Sequence, residues 1–188
     1  MPKTRETIEN LYFIALLPKE PVYQEINDLK QIMWERYETK AALRSPPHIT
    51  LHMPFKLKLK RENELEAMLD ILAMDVNPFN TELRGFGCFE PRVIYADVIR
   101  SRQLLDLKQR IDEKMKSIFN LFNNNYKNQP YHPHVTIAFR DLSKRKFYEA
   151  WSEFNSKSYQ ATFHCDTIYL LKHNGKYWTI QHESHMLK

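Results

Sequence analysis

Glycine is scarce in this chain. Its 188 residues include three, Gly85, Gly87 and Gly175. None of them sits in a GxxxxGK[ST], GxGxxG or GxSxG signature, which argues against a phosphate-cradling glycine loop, a dinucleotide fold and a nucleophile elbow. Cysteine is nearly absent as well. Cys88 and Cys165 lie far apart and neither belongs to a CxxC, so there is no disulfide framework. Two reduced thiols predict a reducing compartment. Long apolar runs are missing too. The run Leu11 to Leu17 ends at Pro18, too short for a membrane span or a signal peptide. The expectation is a cytoplasmic protein without membrane contact.

What remains is enough to fold. The chain is 43% apolar and 13% aromatic, with no low-complexity tract, which predicts one ordinary domain or two small lobes sharing a cleft. Net charge is +5 and dispersed, a weak preference for anionic partners. The densest basic stretch, Lys56 to Arg61, reads either as a lysine-protected edge strand or as a rim that attracts a phosphate backbone.

The hydrophobic pattern runs strand, helix, strand, helix, strand, and then repeats. Leu11–Leu17 suits a buried strand, Val22–Tyr37 an amphipathic helix, His48–Phe55 a strand, and Glu62–Met74 a second helix. Pro78–Phe89 is extended, with Gly85 and Gly87 marking a bend or bulge. Arg92–Ile99 then reads as a strand, and a helix capped by Ser101 runs to Phe122. The polar loop Asn123–Pro130 precedes a strand His134–Phe139. A helix Ser143–Phe154 follows, with Asp141 as a candidate cap. Residues 159–170 and 176–182 read as two strands about the turn His173-Asn174-Gly175. This organisation predicts a single domain over 1–188, built from approximate repeats 11–89 and 92–170 plus a C-terminal strand.

The repeat matters because of what occupies its matching point. His48-Ile49-Thr50-Leu51 follows Pro47, and His134-Val135-Thr136-Ile137 follows Pro133. Alternate residues of a strand share a face, so each histidine points with its threonine and away from its aliphatic neighbours. Two such half-sites suggest one shared cleft. In-line attack on a phosphodiester needs a base on one side and an acid on the other. Histidine titrates near neutrality and can serve as either. A threonine hydroxyl can donate to a non-bridging phosphate oxygen. The bland alternative is two edge histidines and two threonines chosen for β-propensity.

These two motifs, with the opening Tyr12-Phe13-Ile14-Ala15-Leu16-Leu17-Pro18, resemble the two-histidine phosphoesterase superfamily of bacterial 2'-5' RNA ligase and cyclic phosphodiesterase relatives. The likeness covers roughly residues 10 to 182. It implies an α+β fold: two pseudo-symmetric lobes of antiparallel sheet with flanking helices around a central cleft. It implies metal-independent hydrolysis of a 2',3'-cyclic phosphate, typically to a 2'-phosphate, or work on 2'-5' linked RNA or nucleotides. It assigns His48 as acid and His134 as base, roles that symmetry makes exchangeable. Thr50 and Thr136 hold the phosphate. No cofactor or obligate protein partner is implied; the partner is an RNA end or a cyclic nucleotide.

Further candidates surround the motifs. Arg140, six residues after His134, has the parity to reach the cleft and bind phosphate through its fork. Arg44 and Lys56 are weaker candidates of the same kind. His52 shares the expected face of His48 and Thr50. Tyr131, entering the second motif, is the chosen base-stacking aromatic. A metal site from His48, His52, His132 and His134 is disfavoured, since a His-x-x-x-His strand pair spans about 13 Å. Two other readings stay open: a module that binds an RNA end or nucleotide with little turnover, and an interaction protein that keeps only the fold.

Overall fold

The computed structural model describes residues 8–123 and 130–187. The expected loop Asn123–Pro130 therefore lies mostly outside the described residues.

Among the described residues, fourteen elements follow in order. The strand β1 (Glu9–Leu16) leads to the helix α1 (Val22–Tyr37), a 3-10 turn Ala41–Arg44 and β2 (Ile49–Lys58). A second 3-10 turn, Leu59–Arg61, opens α2 (Glu62–Ala73), which leads to β3 (Phe79–Phe89) and β4 (Val93–Val98). Then come α3 (Arg102–Phe119), β5 (His134–Ala138), α4 (Lys144–Phe154), β6 (Gln160–Cys165), β7 (Thr167–His173) and β8 (Trp178–His185).

Local chemistry sets the helix ends. The Ser101 hydroxyl accepts from the Leu104 amide at 3.2 Å, and that of Ser143 accepts from Lys146 at 3.3 Å. Ser143, not Asp141, therefore caps α4. Glu38 and Asn120 close α1 and α3 in the left-handed conformation, returning their amides to the last turn. Inward stripes such as Leu104, Leu107, Ile111 and Met115 of α3 are fully buried. Each such side chain contributes roughly 1.5–3 kcal/mol by leaving water.

The strands form one antiparallel sheet in the order β6-β3-β4-β5-β2-β1-β7-β8. Its two four-stranded halves meet where β5 touches β2, through the pair Ile49↔Val135. Four helices, α1 to α4, complete an α+β architecture among the described residues. Along β1 the alternation is clean. Tyr12, Ile14 and Leu16 face the main core with the helices, while Phe13, Ala15 and Leu17 join a smaller cluster with Leu171 on the other face. That other face carries the cleft.

One strand expectation needs correction. The stretch 159–170 is two strands, not one. It breaks at Asp166, whose carboxylate takes the Lys19 ammonium and, at 2.9 Å, the Thr167 hydroxyl. β6 pairs with β3 at one end of the sheet and β7 with β1 in the other half. Both flanks are β-rich, so periodicity cannot see the break. In the basic stretch, Lys56 and Lys58 are exposed and alternate with buried Phe55 and Leu57. This end of β2 pairs with β1, while β5 meets β2 only at Ile49. No described helix is long and apolar enough to cross a membrane. Cys88 and Cys165 are both free thiols.

Candidate active site

The junction of the two halves builds the site. Ile49 and Val135 pair across it and are both buried on the helix side. Their sequence neighbours must project to the opposite face. Continuing the antiparallel register by one residue sets His48 opposite Thr136 and Thr50 opposite His134. Opposed side chains in such a pair sit about 4.5–5.5 Å apart and diagonal ones about 7–8 Å. The histidines occupy one diagonal and the threonines the other. A cleft of about 350 Å³ opens there, lined by His48, Thr50, His134, Thr136 and Arg140. Aromatic rings of Phe13, Phe89, Phe139 and Trp178 form much of its wall.

Both imidazoles are held in the same way. His48 Nδ1 lies 2.7 Å from the Pro46 carbonyl, and His134 Nδ1 lies 2.8 Å from the His132 carbonyl. A carbonyl only accepts, so each Nδ1 carries the proton and donates it. Each neutral ring therefore keeps its lone pair on Nε2. The acceptor is two residues upstream in both cases, which makes the half-sites copies of each other. Phe13 packs on His48 at 4.7 Å between ring centres, and Tyr95 packs on His134 at 4.8 Å. Burial lowers the pKa of His48, to about 4, against the opposing Pro46 hydrogen bond; Lys30 and His134 lower it further. Burial also lowers that of His134, against the opposing hydrogen bond to the His132 carbonyl; the His132 ring lowers it further and the Asp97 carboxylate works against that.

Behind His134 stands a polar cluster that the sequence reading did not assemble. The Arg100 guanidinium, which can only donate, lies 3.1 Å from His132 Nδ1. His132 therefore carries its proton on Nε2, 3.0 Å from Asp97 Oδ1 and 3.1 Å from the Tyr95 hydroxyl. Burial, then the Asp97 charge, pushes the Tyr95 phenol up to about 12. Gly87 makes room for this tyrosine. A Cβ there would meet the Tyr95 ring at 2.4 Å. The register pairs Asp97 with His134 and Tyr95 with Thr136, so this strand partner is what could have flagged the cluster.

Arg140 reaches the cleft from a strained turn. Its φ is +61°, uncommon for a residue with a side chain, and the Asp141 amide donates to the Phe139 carbonyl at 2.8 Å across it. The Arg140 guanidinium sits 5.2 Å from the Phe139 ring centre and has no carboxylate partner among the described residues. Asp141 anchors the turn. It accepts from the Thr39 hydroxyl at 2.6 Å, the Lys40 amide at 3.1 Å and the Ala41 amide at 3.3 Å. Burial alone would raise its pKa; these donors outweigh it and lower the value. One carboxylate thus ties the segment leading to His48 to the segment leaving His134.

Two expected contacts lie elsewhere. His52 is buried on the helix face, its ring 5.2 Å from Phe55, and does not line the cleft. The cause is a bulge. Ala15 pairs with Thr50 and the next residue, Ile14, pairs with His52, leaving Leu51 as an extra residue that reverses the alternation. Met53 takes the cleft position instead. Tyr131 also stays out of the cleft lining. Its hydroxyl donates to the Thr50 carbonyl at 2.8 Å, so it steadies β2. Lys56 does not line the cleft, and Arg44 lines a neighbouring groove. Among the described residues no three His, Cys, Asp or Glu side chains are grouped to hold a metal ion.

A family model described as the 2'-5' RNA ligase superfamily matches residues 18–176. A Bacillus mycoides (strain KBAB4) protein provisionally named a phosphoesterase is 27% identical over 179 residues, covering 93% of this chain and 96% of that protein. A Bacillus anthracis (strain A0248) protein named in the same way is 29% identical over 178 residues, covering 93% and 95%. Among solved structures, TT0787 of Thermus thermophilus shares 18% identity at a TM-score of 0.67, covering 94% of this chain and 97% of that one. Apo LigT of Escherichia coli shares 18% at a TM-score of 0.56, covering 96% and 99%. At these identities the structural likeness is one of fold.

Proposed function

The chain belongs to the 2'-5' RNA ligase superfamily, and from that premise we propose that it is a metal-independent phosphoesterase acting on a 2',3'-cyclic phosphate or a 2'-5' linkage at an RNA or nucleotide end. The observation that carries this reading is the matched pair of imidazoles, each donating Nδ1–H to a carbonyl two residues upstream. Two Nε2 atoms on the diagonal of a four-residue frame leave room for a tetrahedral phosphate between them. The E. coli LigT structures with 3'-AMP, phosphate and ATP support a nucleotide phosphate as ligand.

The step balances with these residues alone. A water oxygen attacks phosphorus as one Nε2 takes its proton. The bond from phosphorus to the 3'-oxygen breaks, and the other histidine, protonated, gives that oxygen its proton. A 2'-phosphate and a 3'-hydroxyl result. The Thr50 and Thr136 hydroxyls donate to the non-bridging oxygens, where charge grows, and Arg140 offsets that charge through its fork. The bound phosphate anion favours protonation of the acid histidine.

Neighbouring charge does not separate the two roles: Lys30 works against a proton on His48, and on His134 the opposition of His132 exceeds the support of Asp97. The acid and base roles therefore stay exchangeable, as the symmetry of the half-sites implies. Because each half supplies one role, we read the chain as a single two-lobed domain. The cytoplasm suits its two unpaired thiols. The test is incubation with the four 2',3'-cyclic nucleotides in EDTA, with products resolved by chromatography. A single 2'-phosphate product supports the reading. Tight binding of the product without turnover would favour the binding-module alternative.

A further inference from the structure

Beside the catalytic cleft lies a second, more open groove of about 370 Å³, close in size to the cleft's 350 Å³. The two share a wall, since Ser45 and Trp178 line both. The remaining lining comes from α1, from the 3-10 turn before His48 and from the start of β8. It includes the rings of Tyr23 and Tyr177, the Asn27 amide and the Arg44 guanidinium.

These groups suit a nucleotide. Tyr177 is 43% exposed, although an aromatic ring at a strand start normally finds packing. It is held there by an Asx turn: Asn174 Oδ1 accepts from the Lys176 amide at 3.0 Å and from the Tyr177 amide at 2.8 Å, while Gly175 takes φ +98°. The Lys176 ammonium lies 4.9 Å from the Tyr177 ring centre and adds positive charge at the rim. Arg44 is exposed and has no carboxylate partner among the described residues; the Asn27 amide and both tyrosine hydroxyls likewise have no hydrogen-bond partner there. Flat rings for stacking, one amide for a base edge and unpaired cations for a phosphate are what a single-stranded nucleotide requires. Trp178 stands at the boundary, edge-on to Phe13 at 4.6 Å, so that its ring borders both compartments.

We propose that this groove seats the nucleotide next to the one whose phosphate lies between His48 and His134, so that the substrate is an RNA end rather than a mononucleotide. This rests on the phosphoesterase reading above and adds its substrate class. Arg44 meets the phosphate between the two nucleotides, and Tyr177 with Tyr23 stacks the neighbouring base.

Calorimetric binding tests it without turnover. The probes are adenosine 2'-phosphate and a four-nucleotide oligoadenylate ending in a 2'-phosphate, titrated into wild type, Tyr177→Ala, Tyr177→Phe and Arg44→Ala. Both side chains are exposed and outside the catalytic frame. Wild type should bind the oligomer at least about ten-fold tighter than the mononucleotide. Tyr177→Ala and Arg44→Ala should each lose most of that advantage with mononucleotide affinity unchanged, and Tyr177→Phe should keep it. Added salt should weaken oligomer binding less in Arg44→Ala than in wild type. Equal affinity for the two probes in wild type, or equal losses on both in the variants, overturns the proposal. A protein that hydrolyses cyclic mononucleotides yet shows no oligomer preference loses the groove and keeps the activity. One that prefers the oligomer but hydrolyses nothing does the reverse.

Discussion

His48 makes the protein sensitive to acid in a way that can be measured. In the unfolded chain its ring takes up a proton near the ordinary value of 6.5; in the folded protein burial delays that until about pH 4. Between those values the unfolded state holds a proton that the native state does not. Stability is therefore fully present above pH 6.5 and falls as pH drops toward 4. From pH 7 to pH 5 this single ring accounts for a loss of about 2 kcal/mol. The lowered pKa of His134 adds to the loss with the same sign. The perturbation is His48→Asn, which removes the titration and keeps an amide at the Nδ1 position able to donate to the Pro46 carbonyl. Urea unfolding at pH 7 and pH 5, in a buffer free of phosphate, gives four stabilities. The advantage of wild type over the variant should shrink by about 2 kcal/mol at pH 5. An advantage that stays constant within about 0.5 kcal/mol would refute a buried, neutral His48.

Other perturbations bear on the same frame. Thr50→Val and Thr136→Val should each lower kcat/KM by about a hundred-fold while leaving the urea midpoint nearly unchanged. Gly87→Ala drives a Cβ into the Tyr95 ring at 2.4 Å; kcat should fall as the ring leaves His134, with near-ultraviolet circular dichroism reporting the displaced tyrosine. Asp141→Ala removes the acceptor for Thr39, Lys40 and Ala41. It should cost about 1–2 kcal/mol in urea unfolding, a discounted sum for a surface carboxylate, and should raise KM by loosening the Arg140 turn.

Much of this was legible in the sequence, for physical reasons that differ by element. α1 was legible to the residue because Val22, Ile26, Met33 and Tyr37 recur at the helical period and are buried. Ser101 was legible as a cap because its chemistry is local. The two His-x-Thr strands could be read because period-two alternation survives at the junction of the sheet halves. It fails three residues later, where the bulge at Leu51 sends His52 into the core. Nothing in the local pattern announces a bulge, although Pro54, which cannot donate to a ladder, is a hint that pairing on β2 is irregular. Asp141 lay at the right distance to cap α4, yet it serves residues a hundred positions earlier, a pairing only the fold creates. Trp178 and Phe13 meet across 165 positions for the same reason. The break at Asp166 is hidden because residues on both sides favour strands.

The central claim is that His48 and His134 act as one acid-base pair. It is tested most directly by kcat/KM for a cyclic-phosphate-ended RNA in EDTA, using wild type, His48→Ala, His134→Ala and the double variant. Each single substitution should lower the value by about 10²- to 10⁴-fold, and the double variant should lose little more than either, since neither histidine completes the step alone. Turnover that is unchanged in both single variants would contradict the pair.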